Sequence, residues 1–207
     1  MDKKKYKIQL FETKMEIVVA FTKKDHGIGL DGTIPWKLSG DMKYFRNLTT
    51  KTEDCTKQNA CIMGRKTYFS IPEKFRPLPN RFNVIVSRNK KLRKENNIPS
   101  TVIIVDSLEE AYELCFESLG LSGFIERVFV LGGGEIYQEA LRLKFVSKIW
   151  ATSIEQEFEC DTFFPNFEDQ FQLCTTTNNE IQKENGMVYQ FLEYAAKPKL
   201  YESNKIK

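Results

Sequence analysis

The chain has 207 residues, 41% of them apolar and sixteen of them Phe, with 31 basic against 28 acidic side chains and a formal charge of +3. That length suits one ordinary domain with a substantial core, leaves little room for a second, and the apolar content argues against disorder. The charge is too mild for a nucleic-acid binder and suits small anionic ligands.

Residues 1–14 read as an N-terminal extension, in which Tyr6, Ile8 and Leu10 alternate as a docked edge strand would. "MEIVVAF" 15–21 is the first of several continuously apolar runs, the pattern of strands buried on both faces of a parallel sheet. "DHGIGLDGTIPW" 25–36 follows, a loop with three glycines that suits a mobile lid; His26 lies in it as an ordinary exposed histidine. A helix is predicted over 39–49. Its apolar face carries Phe45 and Leu48, and one turn back from Phe45 stands Asp41. A carboxylate at the rim of an apolar pocket suits gripping an N–H-rich heterocycle and assisting proton transfer. An acid in a first helical turn also simply complements the helix dipole.

"NACIM" 59–63 is a strand ending at Gly64, after which Arg65, Lys66 and Thr67 open a short helix. This is a phosphate-binding arrangement or a surface turn, and it is not a P-loop. "FNVIVS" 82–87 puts Ser87 and Arg88 at a strand's carboxyl end, where Arg88 is either a phosphate clamp or an exposed cation. "NKKLRKENNIPS" 89–100 reads as a solvated basic loop, and "TVIIV" 101–105 as a strand. "SLEEAYELCFESL" 107–119 is a helix with Ser107 as N-cap and Glu110 completing a capping box. "RVFVL" 127–131 runs through Gly132, Gly133 and Gly134 into a helix over 134–143. The glycines allow either close ligand approach or a tight turn, and Tyr137 rules out G-x-G-x-x-G. "KIWATSI" 148–154 is a strand; "FQLCTTT" 171–177 and "MVYQFLEY" 187–194 read as a hairpin across a polar loop, ahead of a basic tail or linker at 196–207.

The predicted fold is α/β: a mostly parallel eight-stranded central sheet, helices on both faces and a C-terminal antiparallel hairpin. Five scattered Cys without C-x-x-C suggest a reducing compartment and apolar packing roles, and a single His rules out a multi-His metal site. No window approaches the ~20 apolar residues of a membrane span, and the start matches neither a secretory signal nor a transit peptide. The expectation is a cytoplasmic protein without metal, membrane or nucleic-acid partners.

Taken in order, "GIGLDGTIPW", "DMKYF", "IMGRKTYFSIP", "RPLPNR", "VFVLGGGEIY" and "CDTFFP" resemble the dihydrofolate reductase family over about residues 15–195. The resemblance implies NADPH-dependent reduction of 7,8-dihydrofolate to tetrahydrofolate, by hydride transfer to C6 with protonation at N5, in one-carbon metabolism and thymidylate synthesis. It implies that Asp41 binds the 2-amino and N3 side of the pterin and helps protonate N5 through water. Thr152 would hydrogen-bond that network, Trp36 would support the water, and Ile34 would pack near the nicotinamide. Val18, Val19, Ala20, Met42, Phe45, Ser70, Ile71, Leu78, Leu131 and Tyr137 would line the folate pocket, with Arg81 on the glutamate tail's α-carboxylate. Ala20, Ile28, Gly64, Arg65, Lys66, Thr67, Ser87, Arg88, Ser107, Gly132, Gly133, Gly134, Glu135, Ile136, Tyr137 and Thr162 would hold the cofactor, with a cis peptide between Gly132 and Gly133. Asp106 stands where many relatives carry a basic residue near the 2′-phosphate, which leaves that charge to Arg65 and Arg88. The resemblance further implies antifolate binding and a monomer, unless the chain is fused to thymidylate synthase. Two other readings stand beside it. Arg81 and Asp41 argue against a riboflavin-pathway reductase of the same fold, whose substrate has no glutamate tail, and a non-catalytic folate- or nucleotide-binding module would have no need of Asp41, Trp36 and Thr152 together.

Overall fold

A computed structural model describes residues 15–118, 121–174 and 180–198; the expected edge strand at Tyr6, Ile8 and Leu10, the ends of the runs 107–119 and 171–177, and most of the basic tail lie outside the described residues. The strands are β1 (Met15–Thr22), β2 (Gly27–Gly29), β3 (Gln58–Gly64), β4 (Arg81–Val86), β5 (Val102–Val105), β6 (Ile125–Val130), β7 (Val146–Ile154), β8 (Thr162–Phe163), β9 (Phe171–Leu173), β10 (Ile181–Glu184) and β11 (Met187–Ala196). The helices are α1 (Ser39–Thr50), α2 (Arg65–Ser70), α3 (Leu92–Glu95), α4 (Leu108–Phe116) and α5 (Gly134–Arg142). The main sheet runs β10-β11-β7-β1-β6-β3-β4-β5, parallel from β7 to β5 and antiparallel at β11 and β10.

The continuous apolar runs are explained by burial on both faces. In β3, Ala60 and Ile62 join the core beneath α4 and α5, while Cys61 and Met63 join the core beneath α1 and α2. Alternation with a period of two thus sends Ala60 to Met63 by turns into one core and the other, and a polar residue at any of these four positions would lose its water. Helices lie on both faces as the sequence predicts. The two buried Cys, Cys61 and Cys115, act as small apolar packing residues, whereas Cys55 is exposed.

The C-terminal region differs from the sequence reading in its pairing. The polar stretch before Met187 contains β10, which pairs with β11 from Ile181↔Gln190 to Glu184↔Met187. Asn185 and Gly186 form the two-residue turn, with φ of 52° and 75°, the left-handed geometry that Asn-Gly supplies in a tight hairpin. β9 instead pairs with the far end of β11, Leu173 opposite Tyr194. Two further strands were hidden in loops: β2 in the predicted lid pairs with β8 in "CDTFFP". The basic loop after Arg88 also carries α3, whose Leu92 is 1% exposed and anchors it. His26 is packed rather than free, its ring 4.7 Å from Phe21 and 5.6 Å from Phe167.

Phe167 organises this corner. It is fully buried and meets the rings of Phe21, Phe164, Phe171 and Tyr194 at centroid distances of 4.9–6.4 Å. Truncating a buried Phe removes its transfer free energy and leaves a cavity. Phe167→Ala is expected to lower stability by about 3–5 kcal/mol, read as a lower urea midpoint with an unchanged slope.

Candidate active site

Registered partners in parallel strands share a face, so Val18 and Ala20 of β1 stand beside Trp150 and Thr152 of β7. α1 crosses this face, and Thr152 donates its hydroxyl to Asp41 Oδ1 at 2.6 Å. The carboxyl is pushed above its ordinary value, chiefly by burial; the Thr152 hydrogen bond opposes the shift and the negative Glu184 adds to it. The inward acid of the sequence is therefore a cleft group held by the sheet. Trp36 lies alongside, 6% exposed, packed with Leu38, Ile154 and Tyr189. Its Nε1 is buried without a hydrogen-bond partner among the described residues. Ile34, on the loop before Trp36, is 56% exposed. Val19 departs from the expected lining: it faces the opposite core with Ile17 and Phe21, so its side chain turns away from Asp41.

Away from Asp41 the cleft becomes apolar and then cationic. Phe45, Ile71 and Leu131 pack on the core around Leu78, while Met42 is exposed on α1 and Ser70 turns its hydroxyl onto the Thr67 carbonyl. Arg81 is 7% exposed, with its guanidinium 5.8 Å from the Phe45 ring. It donates Nη1 to Thr49 Oγ1 at 2.7 Å and Nε to the Pro79 carbonyl at 3.0 Å. Burial disfavours its charge, and among the described residues it has no carboxylate partner. A buried, fixed guanidinium with no counter-ion is a ready receptor for a carboxylate.

The glycine turn occupies the carboxyl ends of β6 and β3. The Gly132–Gly133 peptide is cis, and the Gly64 amide donates to the Gly132 carbonyl at 2.7 Å. Gly132 has φ 95°, and a Cβ there would stand 2.6 Å from the Tyr137 ring, so only glycine fits. Tyr137 is buried and donates its hydroxyl to the Val18 carbonyl at 2.7 Å. α5 begins after Gly133 without a side-chain cap, so its first N–H groups remain available to a ligand. Exposed Arg65 and Lys66 and part-buried Thr67 open α2; Ser87 and exposed Arg88 follow β4; Ser107 follows β5 and caps α4 by accepting from the Glu110 amide. Gly133 and Gly134 pack closely on Thr67 and Thr162, and Glu135 is exposed in the first turn of α5. The side chain of Ile136 lies against Gly64 and that of Ile28 packs on the core, so these two bear on the cleft as packing. Asp106 accepts an ion pair from Lys90, so the acid expected to disturb this corner carries its own counter-ion.

The groups that orient α1 were not identified from the sequence. Asn59, fully buried, donates to the carbonyls of Thr49 and Lys51 at 3.1 and 2.9 Å and so closes the helix's C-terminal end. Glu184 accepts from the amides of Ser39 and Gly40 at the other end. The Asn-Gly turn could have located the second: it fixes Glu184 as the last residue before a hairpin tip.

A parallel sheet with a part-buried acid beside its central strands and an uncapped, glycine-entered helix at their carboxyl ends defines an α/β enzyme with a cleft for small anionic molecules. The family model for dihydrofolate reductase matches residues 14–196. The dihydrofolate reductase of Aedes albopictus is 41% identical over 189 residues, covering 90% of this chain and 99% of its own. That of Drosophila melanogaster is 35% identical over 181 residues, covering 86% and 95%. The bifunctional dihydrofolate reductase-thymidylate synthase of Zea mays is 47% identical over 150 residues, 28% of its own length. The solved Schistosoma mansoni dihydrofolate reductase superposes with a TM-score of 0.77 at 34% identity, covering 90% of this chain and all of that one. The chain belongs to the dihydrofolate reductase family and is an enzyme of dihydrofolate reduction.

Asp41 also has a consequence for stability. Its raised value means that ionisation costs more in the folded chain than in the unfolded one, so its favourable contribution is complete below the ordinary 3.8 and is lost as pH rises through the folded value. Asp41→Asn is expected to melt at a higher temperature than wild type at about pH 8, the gap closing near pH 3, as followed by thermal denaturation across pH.

Proposed function

We propose that the protein reduces 7,8-dihydrofolate to 5,6,7,8-tetrahydrofolate with NADPH, serving one-carbon metabolism and thymidylate synthesis. The observation that carries this reading is the Asp41 carboxyl, part-buried against β7 and held by Thr152 at 2.6 Å. A carboxyl with both oxygens on one edge matches the 2-amino and N3 edge of a pterin, and Thr152 fixes which oxygen is turned outward. Its raised value keeps the proton to higher pH, so Asp41 serves as the acid from which N5 is protonated through water. Trp36, whose buried indole N–H has no partner among the described residues, holds that water. Phe45, Ile71, Leu78 and Leu131 grip the aromatic middle of the substrate, and Arg81 takes the α-carboxylate of its glutamate.

The residues at the glycine turn fit a dinucleotide phosphate: close-packed glycines leave the α5 amides accessible, and Arg65, Lys66 and Arg88 supply charge around them. NADPH bound there would supply a hydride from C4 of its nicotinamide to C6 of the pterin. Tyr137 fixes the Val18 carbonyl that borders the ring site. Ile34, on the exposed loop, closes over the ligands and excludes water. A cytoplasmic location, an antifolate-sensitive cleft, and action as a monomer by a domain spanning 15–195 belong to the same reading. The flanks 1–14 and 196–207 lie outside the catalytic unit in this account.

Two measurements test it. Asp41→Asn is expected to lower kcat about 10²–10⁴-fold, followed as loss of NADPH absorbance on adding dihydrofolate; an unimpaired variant would remove Asp41 from the chemistry. Arg81→Leu is expected to raise KM for dihydrofolate about 10²-fold while leaving turnover of a glutamate-free dihydropterin unchanged. Equal losses on both substrates would assign Arg81 a structural role, and a ribosylamino-pyrimidine turned over in preference to dihydrofolate would favour the riboflavin-pathway reaction.

A further inference from the structure

We propose that Glu184, on the tip of the C-terminal hairpin, is a positioning residue for Asp41: it seats the first turn of α1 and withdraws that turn's amides from the acid. The proposal rests on the reading of Asp41 as the proton source.

The residue before α1 is Leu38, whose side chain cannot accept a hydrogen bond, and no residue of α1 itself caps the helix. Its first amides would stay unsatisfied, and the partial positive charge of the helix end would act on the nearest acid. Glu184 meets both conditions from 144 residues away. Oε1 accepts from the Ser39 amide at 2.6 Å and Oε2 from the Gly40 amide at 2.8 Å. Gly40 immediately precedes Asp41 in the chain. Behind this pair lies Tyr189, 3% exposed, its hydroxyl 3.4 Å from Glu184 Oε2. A Cβ on Gly40 would overlap that hydroxyl, so helix start, carboxylate and tyrosine are in direct contact. The Gly40 amide, the Ser39 hydroxyl and the Ser39 amide, in that order, hold the Glu184 carboxyl below its usual range, and it is therefore ionised where the enzyme works.

The consequence reaches Asp41 by two routes of the same sign. A bare helix N-terminus would stabilise ionised Asp41; Glu184 occupies those amides and adds a like charge. The other groups facing Asp41 are Thr152 from β7, which opposes the effect by donating its hydroxyl, Tyr189 from β11, and Tyr44 from α1 itself. Both tyrosines are shifted upwards, Tyr44 to about 12, so neither titrates in the working range. Beyond Tyr44 stand Glu193 and Arg127, each already paired, with Lys148 and Glu16 respectively. Glu184 is thus the charge that acts on Asp41 directly, and it keeps the proton on that carboxyl to higher pH.

The test compares wild type with Glu184→Gln, which keeps the shape and one acceptor oxygen, and with Glu184→Ala, which keeps neither. Turnover of dihydrofolate with NADPH is measured across pH. In parallel, the Asp41 carboxyl carbon is titrated by ¹³C NMR in the ligand-free protein, assigned with Asp41→Asn. The expected result is that the alkaline fall in turnover and the Asp41 titration both move to lower pH in both variants. Turnover on the acid-side plateau stays within about twofold of wild type, and Glu184→Ala alone shows a clearly lower Tm. Profiles and titrations that superimpose on wild type, or a uniform loss at every pH, would overturn the proposal. Should Glu184→Ala fail to fold, Glu184→Gln decides. Should wild type fail to reduce dihydrofolate, the functional reading falls, while the NMR titration still decides whether Glu184 governs Asp41.

Discussion

Placing one carboxylate against an apolar sheet is the constraint on which the rest of the molecule depends. Asp41 loses much of its water in the cleft, and what it receives from the described residues is one hydroxyl, that of Thr152. Desolvation outweighs that hydrogen bond, so the acid is displaced upwards. Under the proposed function a substrate with an N–H edge would offset this cost on binding, and the retained proton would be the one the reaction uses.

α1 must then be held so that this single side chain points inward, and the sheet holds it at both ends. Asn59 from β3 satisfies the last carbonyls and Glu184 from β10 the first amides. Leu38 and the exposed positions Met42, Lys43, Arg46 and Asn47 show that the helix does not depend on its own caps or on an all-apolar stripe. Arg81 is arranged in a similar way. Asn83 bonds the Leu78 backbone through both its amide oxygen and nitrogen, fixing the turn that delivers the guanidinium to Thr49 near the end of α1. Both ends of the cleft are thus referred to one helix, and the distance between the acid and the cation is set by rigid elements rather than loops.

The parts of this arrangement legible in the sequence were those that depend on local pattern. Continuous apolar strands announced a sheet covered on both faces, the Ser107–Glu110 spacing marked the start of α4, and three glycines marked the open end of α5. The polar partners were harder to find. Asn59 is a buried hydrogen-bonding hub inside an apolar run, and nothing in "QNACIM" distinguishes it from a strand-edge asparagine. The strand β10, "IQKE", alternates without an apolar face because it is an edge strand whose outward positions remain in water; only the Asn-Gly turn after it signalled a hairpin. Val19 sits one residue from Val18 and Ala20, and period-two alternation sends it to the other core. Resemblance to a family leaves the two faces of a strand unseparated, whereas strand geometry separates them.

What the sequence determined by itself was the central parallel strands, the helices α1, α2, α4 and α5, their order and the residue types gathered for anion and heterocycle binding, because these follow from periodicity, glycine placement and charge along neighbouring positions. What only the tertiary structure decided was which groups meet across long separations: Thr152 with Asp41, Tyr137 with the Val18 carbonyl, Arg81 with Thr49, Glu184 with the start of α1. Such contacts leave no periodic trace, since a hydrogen bond between residues in different elements, 32 positions apart for Arg81 and Thr49 and 111 for Thr152 and Asp41, constrains each partner's identity but not its neighbours. The chemistry of the cleft resides in those contacts, and strand register and helix seating bring them within reach.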